Sequence, residues 1–176
     1  MPRMDAGGEA VRPLLFLDVD GPLIPFGGLA PSRRGGTEGS TDAANPLLNR
    51  LDPAVGRRLA MLGYELVWAT TWDEDANEDV APRLGLPSLP VLPWPEPSEG
   101  DEQDARAGRH WKTRPIVAWA SGRAFAWVDD EITRADREWV AAHHDGPALL
   151  HHVDPRVGLG PEDFAVLAEW AESPER

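Results

Sequence analysis

The sequence predicts a three-layer α/β/α sandwich built on a mainly parallel sheet of about five strands. Two observations carry that prediction. Short apolar runs, Leu14–Leu17, Leu66–Ala69 and Phe125–Val128, each end in acids or hydroxyls. They are too short for helices and too uniformly apolar for half-exposed strands, so they read as strands covered on both faces. Between them lie stretches of helical periodicity with recognisable caps, and strands alternating with helices give a parallel sheet. A chain of 176 residues with 41% hydrophobic residues can bury such a core in one domain.

Residues 1–12 read as a flexible leader, and 13–176 as a single domain. The first strand is Leu14–Leu17, continuing into Asp18-Val19-Asp20-Gly21-Pro22. Two acids at the carboxyl end of a buried strand need a cation or a proton, and open α/β sheets bind their ligands at that edge. A loop of residues 24–45 follows, rich in Gly, Pro and Ser and longer than a connection requires, and so expected to be a flap. Asn45-Pro46 is a helix start, Asp52-Pro53 a break or restart, and Gly63 a stop. Tyr64–Thr71 is the second strand, ending in two hydroxyls, and Glu74–Leu84 a helix capped by Gly85. Leu89–Leu92, hemmed by prolines, reads as a short edge strand. Ser98–Asp104 reads as an exposed acidic loop. A helix opens at His110–Pro115 and runs through Ala120; Phe125–Asp130 is a strand ending in paired acids. A helix through Asp136–Ala142, a last strand Leu149–Val153 and a helix Pro161–Glu172 complete the chain.

Bulk properties exclude several classes. With no cysteine there is no disulfide partner, thiolate metal site or cysteine nucleophile. The first twelve residues lack an apolar signal region and no run approaches membrane-spanning length, so a soluble cytoplasmic protein with no membrane partner is expected. The formal net charge of −13 opposes long-range attraction to nucleic acid or anionic lipid. It leaves room for a small anionic substrate held by a local cation.

Four groups fall where a parallel sheet would collect them: Asp18 with Asp20, Thr70 with Thr71, Lys112 at a helix start, and Asp129 with Asp130. In this order they resemble the four motifs of the haloacid dehalogenase (HAD) superfamily of phosphatases and phosphotransferases, over roughly residues 14–135. The resemblance implies a Rossmann-like HAD fold, Mg²⁺ as cofactor and a phosphorylated substrate. It implies Asp18 as nucleophile, forming an aspartyl-phosphate, and Asp20 as general acid and base. Asp18, Asp20 (through its main-chain carbonyl), Asp129 and Asp130 would hold the metal. Thr70 and Lys112 would hold the phosphoryl oxygens, with Thr71 the rival to Thr70. Four acids facing one lysine is a like-charge excess that a divalent cation relieves.

Two departures stand out: Pro22 replaces the family's Thr after Asp-x-Asp-Gly, and the stretches where relatives insert cap domains are short. A capless, open site suits large substrates or phosphate ends. Trp68–Trp72 with Asn77, His110–Lys112, Trp127–Glu131 and Asp154–Leu159 further resemble small actinobacterial-type members and the HAD domain of RNA-repair multienzyme proteins. That raises a nucleic-acid end as an alternative to a small-molecule phosphate, so the runner-up reading is a polynucleotide-end or protein phosphatase. A catalytically weak binding or regulatory module is the rival from another class. Trp72 either stacks on substrate or packs in the core. Arg33 and Arg34 either clasp a phosphate from the flap or are solvated. Trp68, Trp119, Trp127, Trp139 and Trp170 fall at core positions. The pairs His143-His144 and His151-His152 lack the spacing that aims two ligands at one metal.

Overall fold

The computed structural model describes residues 10–26 and 46–174. The expected leader as far as residue 9, and the flap from residue 27 onward with Arg33 and Arg34, lie outside the described residues.

The apolar runs form β1 (Leu14–Leu17), β2 (Glu65–Trp68) and β3 (Phe125–Asp129), with β4 (Ala148–His152) at one edge. All pair in parallel, in the order β2-β1-β3-β4. Side-chain alternation sorts these strands into two cores. Leu15, Leu17, Leu66, Trp68, Ala126 and Val128 face one, whereas Leu14, Phe16, Val67, Phe125 and Trp127 face the other. Helices α1 (Pro53–Met61), α2 (Ala81–Leu84) and α6 (Pro161–Glu172) cover the first core through Leu59, Leu84, Phe164 and Leu167. Helices α4 (Thr113–Ala120) and α5 (Arg134–His143) cover the second through Ile116, Ala120 and Val140. This is the three-layer α/β/α arrangement that the sequence predicts.

Local chemistry sets most boundaries. Asp52 caps α1 by accepting from the Ala54 amide, and Pro53 occupies the first helical turn. The segment before it, Pro46–Arg50, is a 3-10 turn. The helix expected over Glu74–Leu84 begins as a π-helical turn, Ala76–Val80, before α2; Pro82, which lacks an amide proton, lies in the first turn of α2.

Three expectations change. The fifth strand shrinks to one bridge, Val91 against Trp68, with Pro90 and Pro93 on either side limiting further pairing. Ser98–Asp104 is not an exposed loop: Glu99–Arg106 forms α3, opened by the Ser98 amide donating to Asp101 Oδ2 at 2.7 Å. Trp119 is 40% exposed, because it lies on the outer face of α4, whose Ile116 and Ala120 point inward. Among the described residues no helix is long and apolar enough to cross a membrane.

Candidate active site

The site lies at the carboxyl edge of the sheet, where β1 and β3 end side by side. The Asp18 amide donates to the Val128 carbonyl, which holds Asp18 beside Asp129, the last residue of β3. Both carboxylates are buried, Asp129 completely, and both face the ammonium of Lys112. Lys112 Nζ stands 3.1 Å from Asp18 Oδ1 and 2.9 Å from Asp129 Oδ2. Asp18 Oδ1 also accepts from the Val19 amide, and Asp129 Oδ1 from the Glu131 amide. Among the described residues no donor reaches Asp18 Oδ2.

Asp130 adds a third carboxylate. Oxygens of Asp18, Asp129 and Asp130 lie within 4.8 Å of one another. One ammonium cannot neutralise three carboxylates, and the pKa values register the deficit. Burial, opposed by Lys112 and reinforced by Asp129, raises the Asp18 carboxyl to about 7. Burial and Asp129 raise Asp130 to about 6. Lys112 moves the other way in charge terms: its neighbours Asp18 and Asp129 outweigh burial and hold it protonated. Three hard carboxylate donors with excess negative charge are a donor set that fits Mg²⁺.

The loop after β1 is tightly wound. The Val19 carbonyl accepts from both Leu23 and Ile24 amides, and the Gly21 amide donates to the Ile24 carbonyl. Gly21 has φ +100°, and a Cβ there would stand 2.6 Å from Asp130 Cγ. Only glycine allows both the conformation and the close approach of Asp130. Pro22 fits this turn, and its carbonyl accepts from the Leu159 amide. Asp20, on the same loop, accepts from Trp72 Nε1 at 3.1 Å. Trp72 is therefore tied to the site rather than simply packed in the core.

Thr70 is fully buried, and its hydroxyl accepts from the Trp72 amide at 3.2 Å; Thr71 is exposed. Two further residues were less legible in the sequence. Trp94 Nε1 donates to the Thr70 carbonyl at 3.0 Å, and Trp94 meets Trp111 edge to face at 4.7 Å between ring centroids.

Lys112 precedes α4, and two buried carboxylates clamp the segment that delivers it. Asp136 Oδ1 accepts from the His110 amide and the Thr113 hydroxyl, both at 2.7 Å. Its Oδ2 accepts from the Thr133 amide at the start of α5. Asp104, from α3, receives the guanidinium groups of both Arg109 and Arg114, which hold its carboxyl below the usual range, Arg114 foremost. His110 completes the link: its Nδ1 accepts from the Lys112 amide, and its Nε2 lies 2.6 Å from Glu131. Thr133 and Asp136 form the capping box of α5, and Asp136 has a second use, across to His110 and Thr113.

The paired histidines elsewhere serve local contacts. His151 Nε2 lies 2.7 Å from Asp163, and His143 Nδ1 lies 2.8 Å from the Trp139 carbonyl.

No curated protein and no solved structure matches the chain. A family model for the HAD domain in Swiss Army Knife RNA repair proteins matches residues 14–164, which span the sheet, the Asp18 loop, Lys112 and Asp129. The chain therefore belongs to that family, within the haloacid dehalogenase superfamily, and hydrolase-type chemistry is the general activity this membership supports.

Proposed function

We propose that the chain is a Mg²⁺-dependent phosphomonoesterase working through an aspartyl-phosphate on Asp18. The observation that carries the reading is Asp18 itself: a buried carboxylate oriented by Lys112 and Val19 through one oxygen, with no described donor on the other. That second oxygen is free to attack phosphorus. As the Asp18–phosphorus bond forms, the bond to the leaving oxygen breaks, and Asp20 supplies the leaving oxygen with a proton. Trp72 holds one oxygen of Asp20 and so orients the acid. In the second half Asp20 takes a proton from water, whose oxygen attacks phosphorus and releases Asp18.

Lys112 keeps the two flanking carboxylates from repelling the incoming phosphoryl group. Thr70, buried at the end of β2, is the hydroxyl favoured for the phosphoryl oxygens, ahead of exposed Thr71. Asp18, Asp129, Asp130 and the Asp20 main-chain carbonyl would hold the metal, which supplies the positive charge that lets a carboxylate approach a phosphate.

A nucleic-acid end is the second reading of the substrate, favoured by the RNA repair proteins that define the matching family. A panel of an aryl phosphate, nucleotides, phosphorylated oligonucleotides and a phosphopeptide, assayed with Mg²⁺, tests both. Hydrolysis that disappears in Asp18→Asn supports the enzyme, and the preferred substrate names its class. Hydrolysis undiminished in Asp18→Asn overturns the covalent route.

A further inference from the structure

An open cleft of about 360 Å³ lies between Trp94, Pro95, Pro97, Asp101 and Trp111, and the mechanism above makes no use of it. It adjoins the site on two sides. Trp94 is fixed by its indole N–H to the carbonyl of Thr70. Trp111 directly precedes Lys112, whose Nζ stands 5.8 Å from the Trp111 ring centroid and 3.1 Å from Asp18. Trp111 is 38% exposed although it is one of the largest apolar side chains in the protein.

Resting on the phosphatase reading, we propose that this cleft receives the base of the nucleotide that carries the scissile phosphate. The indoles offer a stacking surface for a flat ring. Lys112 Nζ thus stands within hydrogen-bond distance of Asp18 and 5.8 Å from the Trp111 ring centroid. On this proposal a ring bonded directly to the leaving oxygen, as in an aryl phosphate, is held too close to Asp18 to use the cleft, whereas a ring carried on a ribose has the added reach. Asp101, whose Oδ2 accepts from the Ser98 amide, lines the cleft with an acceptor suited to an exocyclic amino group, which adenine, guanine and cytosine have and phenols lack.

The same surroundings limit recognition to one nucleotide. Asp101 belongs to the first turn of α3 with Glu99 and Glu102, and the whole chain carries −13. Further phosphates would meet repulsion there rather than a basic track.

The test compares adenosine 5′- and 3′-monophosphate with the corresponding abasic ribose phosphates and an aryl phosphate, all with Mg²⁺. It uses the wild type, Trp111→Ala and Trp111→Phe. The expected kcat/KM for the better adenosine phosphate exceeds that of its abasic counterpart by about tenfold. Trp111→Ala brings that ratio near one, and Trp111→Phe retains most of it. Because the ratio compares two substrates in one variant, any disturbance of Lys112 cancels. A wild-type ratio near one, or a ratio unchanged by Trp111→Ala, overturns the subsite. If nothing is hydrolysed, the phosphatase reading falls and calorimetry decides the subsite separately. Adenosine monophosphate binding about tenfold tighter than ribose phosphate, lost in Trp111→Ala, sustains it; equal binding overturns it. A phosphorylated trinucleotide is expected within about threefold of the mononucleotide at matched salt, and a large gain with length overturns the one-nucleotide limit.

Discussion

Two sets of carboxylates surround the segment that carries Lys112, and they differ in how they are satisfied. Asp104 and Asp136 are almost fully buried, yet each has its donors: two guanidinium groups for Asp104, two amides and the hydroxyls of Thr113 and Thr133 for Asp136. Asp18 and Asp129 share one ammonium, and Asp130 brings a third carboxylate within 4.8 Å of them. A buried acid with a full complement of donors needs no ligand and acts as a structural fastener. A buried cluster with too few is costly unless a cation or a proton completes it. The first set holds the Lys112 segment in place, and the second is what that lysine serves.

Breaking the fasteners should cost the most stability. Asp136→Ala leaves the His110 amide, the Thr113 hydroxyl and the Thr133 amide without their acceptor, so we expect a loss of about 4 kcal/mol in urea unfolding. Asp18→Asn, by contrast, removes one of the competing negative charges, and its melting temperature should match or exceed that of the wild type. A fall as large as that of Asp136→Ala would erase the distinction.

Gly21→Ala comes next, at about 3 kcal/mol, since it combines a positive φ with a collision against Asp130. Its unfolding midpoint measures the stability term. Added Mg²⁺ should stabilise the wild type by about 2 kcal/mol once well above its dissociation constant, read as a rise in melting temperature. Asp129→Ala should lose that rise, whereas Asp104→Asn, though less stable, should keep it.

The smallest effect is also the most diagnostic, because the two sets have opposite signs in pH. The raised Asp18 and Asp130 carboxyls contribute stability that is present at low pH, below their unfolded values, and lost as pH rises through about 6 to 7. The lowered Asp104 contributes stability above the unfolded carboxylate value that is lost as pH falls through its folded one. Metal-free protein should therefore lose up to about 1 kcal/mol per pH unit across pH 6 to 7, and Mg²⁺ should flatten that slope. A metal-free stability that climbs through this window would contradict the raised values.

The sequence made the second set readable and hid the first. A continuous apolar run ending in polar groups reads as a doubly covered strand with those groups at the ligand edge, so pattern alone brings Asp18, the pair Thr70-Thr71 and the pair Asp129-Asp130 to that edge, without choosing within either pair. Lys112 needed the resemblance to a family, since a lysine before a helix is common. Asp104 was lost among acidic neighbours: composition from Ser98 to Asp104 reads as a solvated loop. Only Arg109 and Arg114, brought round by the next turn, reveal that Asp104 is buried. Trp94 escaped for a related reason, because flanking prolines suggest an irregular exposed segment and say nothing of a contact with Thr70. Local pattern finds groups that a strand end presents; it does not find groups satisfied by distant partners.

The most direct test of the central claim is hydrolysis of an aryl phosphate by the wild type and Asp18→Asn, with Mg²⁺ and after its removal by chelation. The unsatisfied cluster predicts turnover that needs both the cation and Asp18, with a loss of about a thousandfold or more in the variant. Turnover that survives chelation, or that Asp18→Asn sustains, would contradict it.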